Sequence, residues 1–185
     1  MRRISILARW LLYIIGGFII LLVCLWGYVA YVSRTRPPAV SAADKESLLW
    51  ERTNHNDHFY TIGNNWLRKS ASGLFEMYVE GDAFERGVAN GKLSRELLVQ
   101  QEDYFSNQIR KMIPSDFYLH FLKYVIGWFN RHLDQYVIDE YKREIYGISE
   151  SASNEYKYIG TNYQRILNYH AAHDIGHALQ NMALV

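Results

Sequence analysis

The sequence predicts a mainly α protein with a short β element, attached to a membrane by one N-terminal transmembrane helix. Three observations support this fold class. Residues 11–32 are strongly apolar and contain no charged residue. Most apolar residues after that segment recur at three- and four-residue steps, which is typical of amphipathic helices. Residues 73–81 nearly alternate between apolar and polar side chains, as a half-buried strand does.

The apolar segment 11–32 is long enough to cross a bilayer. As a helix that rises about 1.5 Å per residue it covers roughly 33 Å, the thickness of the hydrocarbon layer. Aromatic rings, which prefer the membrane interface, lie near both of its ends; they are Trp10, Tyr13, Trp26, Tyr28 and Tyr31. The sequence therefore predicts a single-pass membrane protein with the lipid bilayer as a partner. A cleaved signal peptide is the alternative, although this segment is longer than the usual signal core.

Positive charges on the two sides of the span predict its orientation. Arg2, Arg3 and Arg9 precede the span together with the terminal amine, whereas Arg34 and Arg36 are the nearest positive charges after it. An excess of Lys and Arg favours the cytoplasmic side of a membrane. Residues 1–10 are therefore predicted to be a cytoplasmic tail, and the chain after the span is predicted to be exported to the periplasm or the extracellular space.

One domain of ordinary size is expected after the span. About 150 residues remain there, which is enough to bury a core. The chain has 20 basic and 19 acidic residues, so no overall positive field favours a nucleic-acid partner, and none is predicted. The one cysteine, Cys24, lies inside the span, so the exported part has neither a thiol nor a disulfide. No cofactor is predicted.

The first elements after the span follow from local patterns. Residues 33–53 are predicted to be a proline-containing linker followed by a short helix that starts near Ser41 and Asp44. Residues 54–73 are rich in Asn, Ser and Gly and are predicted to be an irregular surface segment. The strand within residues 73–81 comes next.

A long helix is then predicted from about residue 83 to residue 112. Gly87 and Gly91 are four residues apart, so they lie on one face of this helix. A glycine inside a helix costs roughly 1 kcal/mol relative to Ala. We therefore expect another part of the chain to pack so closely there that a side chain would obstruct it.

The second half of the chain is predicted to be helical throughout. Residues 117–129 are apolar around most of a helix circumference, which favours a buried central helix; the alternative is a helix that lies in the membrane surface or lines a lipid-sized groove. Residues 134–151 predict an amphipathic helix, and a last helix is expected from about residue 160 to the C-terminus. The residues expected to face inward from the amphipathic helix are Val137, Ile138, Tyr141, Ile145 and Ile148.

The last helix carries a candidate polar site. His170, His173, Asp174 and His177 fall on one side of it, within roughly a third of its circumference. Such a set can bind a divalent metal, transfer protons near a substrate pocket, or serve as hydrogen-bonded structural residues. The first and last histidines are about 10 Å apart along the axis, so one tetrahedral metal would need a ligand from elsewhere. No metal site is assigned to these residues.

A glycine pattern follows the predicted strand. Gly81, Phe84, Gly87 and Gly91 match Gly-x-x-(Phe/Tyr)-x-x-Gly-x-x-x-Gly, and Arg86 lies within it. Together with the NWLRK run at 65–69, this region resembles the isopenicillin-N acyltransferase-like family of N-terminal-nucleophile hydrolases, in which the position of Arg86 is commonly basic. A membrane-anchored bacterial subgroup is most similar. The resemblance extends through residues 145–147 and 169–185 and covers about two thirds of the chain.

This resemblance implies a self-cleaving precursor whose new N-terminal cysteine attacks an acyl group, with its own amine as the base. Residues 54–185 would form the helical N-terminal part of an α+β (αββα-type) hydrolase domain that acts on amide- or thioester-linked acyl groups. The family's Gly-Cys cleavage site follows this region, and Cys24 lies in the span. The chain is therefore expected to lack the nucleophile and to be inactive alone. It is either the leading fragment of a longer enzyme, with the missing C-terminal catalytic segment as a partner, or a truncated product without activity of its own.

Two other functions are compatible with the residues. One is a non-catalytic, membrane-proximal helical module that binds a partner or lipid through residues 117–129. The other is a metal-dependent hydrolase that uses His170, His173 and His177.

Overall fold

The computed structural model describes residues 6–170 apart from Asp57. It contains helices α1 (Ile6–Val32), α2 (Ala83–Leu93), α3 (Arg95–Met112), α4 (Asp116–Phe129) and α5 (Asp139–Ser149). Short 3₁₀ helices lie at Asp44–Leu49, Leu133–Tyr136 and Glu155–Tyr158, and residues 162–170 are helical. Strands β1 (Thr53–Asn56), β2 (Phe59–Ile62), β3 (Asn65–Lys69) and β4 (Phe75–Tyr78) form one antiparallel sheet in that order. The predicted mainly helical fold with a β element is confirmed.

Within the described residues, α1 contains one stretch, Ala8–Val32, that is long and apolar enough to cross a membrane. This stretch is not buried against the rest of the described chain. A helix that exposes apolar side chains on all sides is suited to lipid, because lipid then takes the place of a protein core. The prediction of one long apolar helix over residues 11–32 is confirmed, whereas its crossing of a membrane stays a prediction. Its orientation stays a prediction, and Arg2 and Arg3 of the tail lie outside the described residues.

The predicted short helix after the linker is the 3₁₀ helix at Asp44–Leu49. Ser41 and Asp44 exchange two hydrogen bonds: Ser41 N donates to Asp44 Oδ2 and Asp44 N donates to Ser41 Oγ, both at 3.0 Å. This reciprocal pair is the start signal that the sequence predicts.

The prediction of an irregular segment at 54–73 is wrong, because this region forms most of the sheet. β2 pairs with β3 antiparallel, with Thr61 opposite Trp66. Residues with positive φ make the turns, namely His58 (68°) before β2 and Gly63 (55°) before β3. Each of these strands has only four or five residues. Asn, Thr and His side chains occupy many positions in these strands, so the strands lack the regular alternation of apolar and polar residues by which strands are recognised.

The strand predicted within residues 73–81 is confirmed as β4. Gly73 and Gly81 lie on its two sides with φ of 86° and 110°, in the left-handed region that glycine adopts without a steric penalty. Asp82 and Glu85 then form a capping box at the start of α2, in which Asp82 N donates to Glu85 Oε2 at 3.2 Å.

The single long helix predicted from about residue 83 to residue 112 is instead two helices, α2 and α3. Ser94 lies between them with φ −100° and ψ 18°, and its hydroxyl donates to the Asn90 carbonyl at 2.7 Å. A Ser hydroxyl that bonds four residues back often bends a helix. The periodic apolar pattern continues across Ser94, so the sequence gives no sign of the break.

α2 and α5 form the most extensive helix contact of the described fold, because glycines allow their backbones to meet. A Cβ on Gly87 would lie 2.8 Å from the Glu144 carbonyl carbon, and one on Gly91 would lie 2.9 Å from an α5 carbonyl oxygen. From the other side, a Cβ on Gly147 would lie 2.6 Å from Val88 N. The predicted close approach at Gly87 and Gly91 is therefore confirmed. Gly147 was not predicted to take part.

The main core lies between α3, α5 and residues 162–170. Its buried members are Leu98, Ile145, Ile148, Ala152, Tyr163, Ile166 and Leu167. The inward-facing prediction is right for Ile145 and Ile148, and Val137 packs at the edge of the core. It is wrong for Ile138 and Tyr141, which are exposed. Both lie at the start of α5, which begins at Asp139 rather than near residue 134.

α4 is not the buried central helix that its composition favours. Leu119 and Gly127 are buried, whereas Phe117 is 84% exposed and Phe129 is 71% exposed. Instead of entering the core, α4 packs beside α1. The predicted alternative, a helix at the membrane surface, fits this placement better.

Candidate functional site

The described part of the predicted polar site is His170, since His173, Asp174 and His177 lie outside the described residues. His170 is the last described residue of the helical segment 162–170 and lines a cavity of about 270 Å³. Residues from α2, α3 and α5 complete the wall of this space, which we call the His170 cavity. Its polar lining consists of Asn90, Ser94, Gln101, Tyr169 and His170.

The hydrogen bond of His170 fixes which ring nitrogen carries a proton. Nδ1 lies 2.9 Å from the Ile166 carbonyl oxygen. A carbonyl only accepts, so Nδ1 donates, and in the neutral ring Nε2 is then the proton acceptor. His170 can therefore act as a base or as an orienting group toward an N–H, O–H or S–H group within reach of Nε2.

A buried ion pair holds the helical segment that carries His170. Arg165 Nη2 and Nε lie 2.9 Å and 3.1 Å from Glu102 Oε1, and the two side chains are 1% and 0% exposed. Arg165 also donates to the Gly160 and Ser153 carbonyls at 3.0 Å and 2.6 Å, while Ser153 N donates to Glu102 Oε2 at 2.7 Å. This network joins α3 to two loops and to the last helix. Neither Glu102 nor Arg165 was predicted as a site residue.

Tyr169 contributes a partly buried phenol, whose hydroxyl oxygen is buried, to the cavity wall. Its hydroxyl has no hydrogen-bond partner among residues 6–170. Burial, with a smaller contribution from the charge of Glu102, raises the pKa of Tyr169 to about 12. The hydroxyl is therefore protonated at neutral pH and can donate a hydrogen bond. Tyr169 was not predicted as a site residue.

The glycine motif has a packing role in the structure and does not line the His170 cavity. Gly81 makes the turn before α2, and Gly87 and Gly91 allow α5 to approach. Phe84 is buried, with its ring centroid 5.2 Å from that of Tyr146. These positions therefore hold α2 against α5, while Asn90 on the same helix faces the cavity.

Arg86 links α2 to α5 through charge. Its Nη2 lies 2.7 Å from Glu140 Oε1 and 3.1 Å from Glu144 Oε2, and its Nη1 donates to the Gly81 carbonyl at 3.1 Å. The side chain is partly buried, so solvent screens these pairs less than it screens fully exposed ones. The basic residue at this motif position thus has a structural role.

Replacing Arg86 with Met is expected to lower the free energy of unfolding by about 1 kcal/mol, because two ion pairs to α5 and the hydrogen bond to the Gly81 carbonyl are lost. Chemical denaturation followed by circular dichroism measures the change. Arg68→Met is the matched control, since Arg68 forms an exposed pair with Glu76 at 2.7 Å. An effect of Arg86→Met no larger than that of Arg68→Met would contradict the structural role.

A second, larger space of about 760 Å³ lies between the sheet and α3. Two of its charged residues are paired with each other, since Arg52 donates from Nη1 and Nη2 to the two carboxylate oxygens of Glu96, each at 2.6 Å. The hydrogen bond from Arg52 lowers the pKa of Glu96. The His170 cavity is the better candidate for chemistry, because its lining contains an imidazole held in one tautomer by a hydrogen bond.

Metal binding gains no support from the described chain. Among residues 6–56 and 58–170, no group of three or more His, Cys, Asp or Glu side chains is arranged to hold a metal ion. The metallohydrolase alternative therefore depends on His173 and His177, which lie outside the described residues.

Comparison with known proteins gives no relative. The chain matches no protein family, no curated protein and no solved structure at a significant level.

Proposed function

We propose that this chain is the membrane-anchored N-terminal part of an acyltransferase- or amidohydrolase-like protein that acts on amide- or thioester-linked acyl groups. The observation that supports the proposal is the contact between α2 and α5. Segments 81–91 and 145–147 both carry the resemblance to N-terminal-nucleophile hydrolases, and they pack backbone to backbone at Gly87 and Gly147. Two segments that both resemble the same family are expected to contact each other in the folded domain.

In this proposal the chain supplies structure and orientation, and other polypeptide supplies the nucleophile. Cys24 is the one thiol of the sequence and lies within the candidate span, where it cannot reach the His170 cavity. An acyl transfer of this class needs a thiolate and a nearby base. The His170 ring, held by its Nδ1 hydrogen bond, and the protonated Tyr169 hydroxyl are suited to orient such a group or its acyl substrate. The chain alone is expected to be inactive.

The domain after α1 is proposed to work on the exported side of the membrane. The support is the excess of Arg before the span over Arg after it. The bilayer and the catalytic segment are the proposed partners.

The proposal is tested on native material captured with an antibody to the folded domain. We expect its intact mass to exceed the 21.8 kDa of these residues, or a second chain with an N-terminal cysteine to accompany it. A cysteine-reactive acyl probe should label that added polypeptide and should label wild type and Cys24→Ala equally.

Two results would overturn the proposed function. One is a native mass equal to that of these residues with no associated chain. The other is hydrolysis of an acyl thioester by the purified 185-residue chain, followed as release of free thiol, at a rate that its Cys24→Ala variant retains.

A further inference from the structure

We propose that α4 is a second membrane-contacting element, which lies in the bilayer interface beside the C-terminal end of α1 with Phe117 and Phe121 in the lipid. The proposal concerns an interaction surface and does not rest on the proposed acyl-transfer function. Its occupant is the lipid of the leaflet that surrounds residues 26–32 of α1.

Contacts between α1 and α4 set the depth of α4. The Trp26 ring packs on the Tyr124 ring with 4.6 Å between centroids. Trp26 precedes Ser33 by seven residues, which is about 10 Å along a helix. If α1 crosses the bilayer, Tyr124 lies about 10 Å deeper in the membrane than Ser33, where the chain leaves the span.

A second contact shows how α4 runs relative to α1. Gly127 meets Ser33 so closely that a Cβ on the glycine would lie 2.7 Å from the Ser33 carbonyl oxygen. From Tyr124 to Gly127, α4 therefore runs in the same direction across the membrane as α1 does from Trp26 to Ser33. The residues of α4 before Tyr124 consequently lie on the bilayer side of the helix, and the exposed carboxylate of Asp116 at its start keeps that end tilted towards the headgroups.

The junction between α1 and the folded domain is fixed. Ser33 is buried, and its carbonyl accepts a hydrogen bond from Gln164 Nε2 at 2.9 Å. Gln164 belongs to the helical segment 162–170. This bond and the close Gly127–Ser33 contact both join the folded domain to the end of α1, so they favour a constant position of α4 beside the span.

The uncovered surface of α4 has the composition of an interfacial helix. Phe117 and Phe121 are one helical turn apart, and both are exposed to the surroundings of the described chain. Lys123 lies 4.9 Å over the Tyr124 ring, and Arg131 lies 4.3 Å over the Trp128 ring. Aromatic rings with basic groups over them are typical of the headgroup level, where the apolar body enters lipid and the charge meets phosphate.

Site-directed spin labelling of the full chain in vesicles tests this proposal. The vesicles contain phosphatidylcholine with about one third phosphatidylglycerol, so that both apolar contact and charge attraction can act. Cys24→Ala removes the one cysteine of the chain, and Phe117→Cys or Phe121→Cys then gives a single labelling site. Leu21→Cys in α1 is the lipid reference, and Leu74→Cys, exposed in the turn before β4, is the water reference.

The readout is the collision of each nitroxide with oxygen, which concentrates in lipid, and with a water-soluble nickel complex. We expect labels at 117 and 121 to favour oxygen several-fold more than the label at Leu74, and to approach the label at Leu21. Circular dichroism of each labelled protein confirms that it retains the helical content of the Cys24→Ala parent. Two separate sites keep the test valid if one label disturbs the fold.

Two outcomes would overturn the proposal. Nickel access at both sites equal to that at Leu74 would mean that water covers this face. Low access to both reagents would mean that protein covers it, either a second copy of the chain or another polypeptide. Failure here leaves the acyl-transfer proposal intact, because that proposal is tested by mass and by acyl labelling.

Discussion

Replacing Glu102 with Gln is expected to lower the free energy of unfolding by about 3–5 kcal/mol. The substitution keeps the size of the side chain and removes its charge. Arg165, which is 1% exposed, would then remain as a buried cation without a counter-ion. Urea denaturation in detergent micelles, followed by circular dichroism, gives the difference directly.

Two further variants separate the effect of burial from that of charge. Glu76→Gln removes one partner of the exposed Arg68 pair and should change stability by less than about 0.5 kcal/mol. Replacing Glu102 and Arg165 together with Met should recover a large part of the loss, because two apolar side chains leave no unpaired charge. A loss below about 1 kcal/mol for Glu102→Gln would contradict the burial of the pair.

Gly147→Ala is expected to lower the free energy of unfolding by about 1–3 kcal/mol, because the added methyl group would meet the α2 backbone. Its Cβ would lie 2.6 Å from Val88 N, and a backbone atom cannot rotate away as a side chain can. Gly87→Ala, from the other helix, should have a similar effect. Thermal unfolding of each variant measures the change.

Gly160→Ala is the matched control, since the nearest atom to its Cβ would be Gln164 Oε1 at an ordinary 3.5 Å. We expect this control to change stability by less than about 0.5 kcal/mol. Because Gly87 and Gly147 face the same contact, the double variant should lose less than the sum of the single losses. Equal stability of Gly147→Ala and Gly160→Ala would rule out the close approach of α2 and α5.

The sequence predicts those parts of the fold that local pattern determines. The uncharged stretch of α1, the glycine-bounded strand β4 and the paired glycines of α2 each carry their signal within a few residues. β1 to β3 were not predicted because they are short and polar. They are strands because they pair with one another, and their composition alone does not indicate a strand. The break at Ser94 was missed because the apolar period is the same on both sides of it.

The candidate site was less predictable, because its key interactions join distant parts of the chain. Glu102 follows Leu98 by four residues and precedes Phe105 by three, so its position on the apolar face of α3 could have been noticed. Its partner, Arg165, is 63 residues away and no periodic pattern connects the two. The exposure of α4 was not predicted either, because an apolar composition does not distinguish a helix buried in a protein core from one in contact with lipid.

The Gln164–Ser33 hydrogen bond has a consequence for how the protein meets its surroundings. A domain joined to its membrane helix by a flexible linker would sample many positions and orientations relative to the bilayer. Here the helical segment that carries His170 donates a hydrogen bond to the backbone at the end of α1. The His170 cavity therefore keeps one distance from the bilayer and one orientation around the axis of α1. A molecule that diffuses within the leaflet would therefore always arrive from the same side.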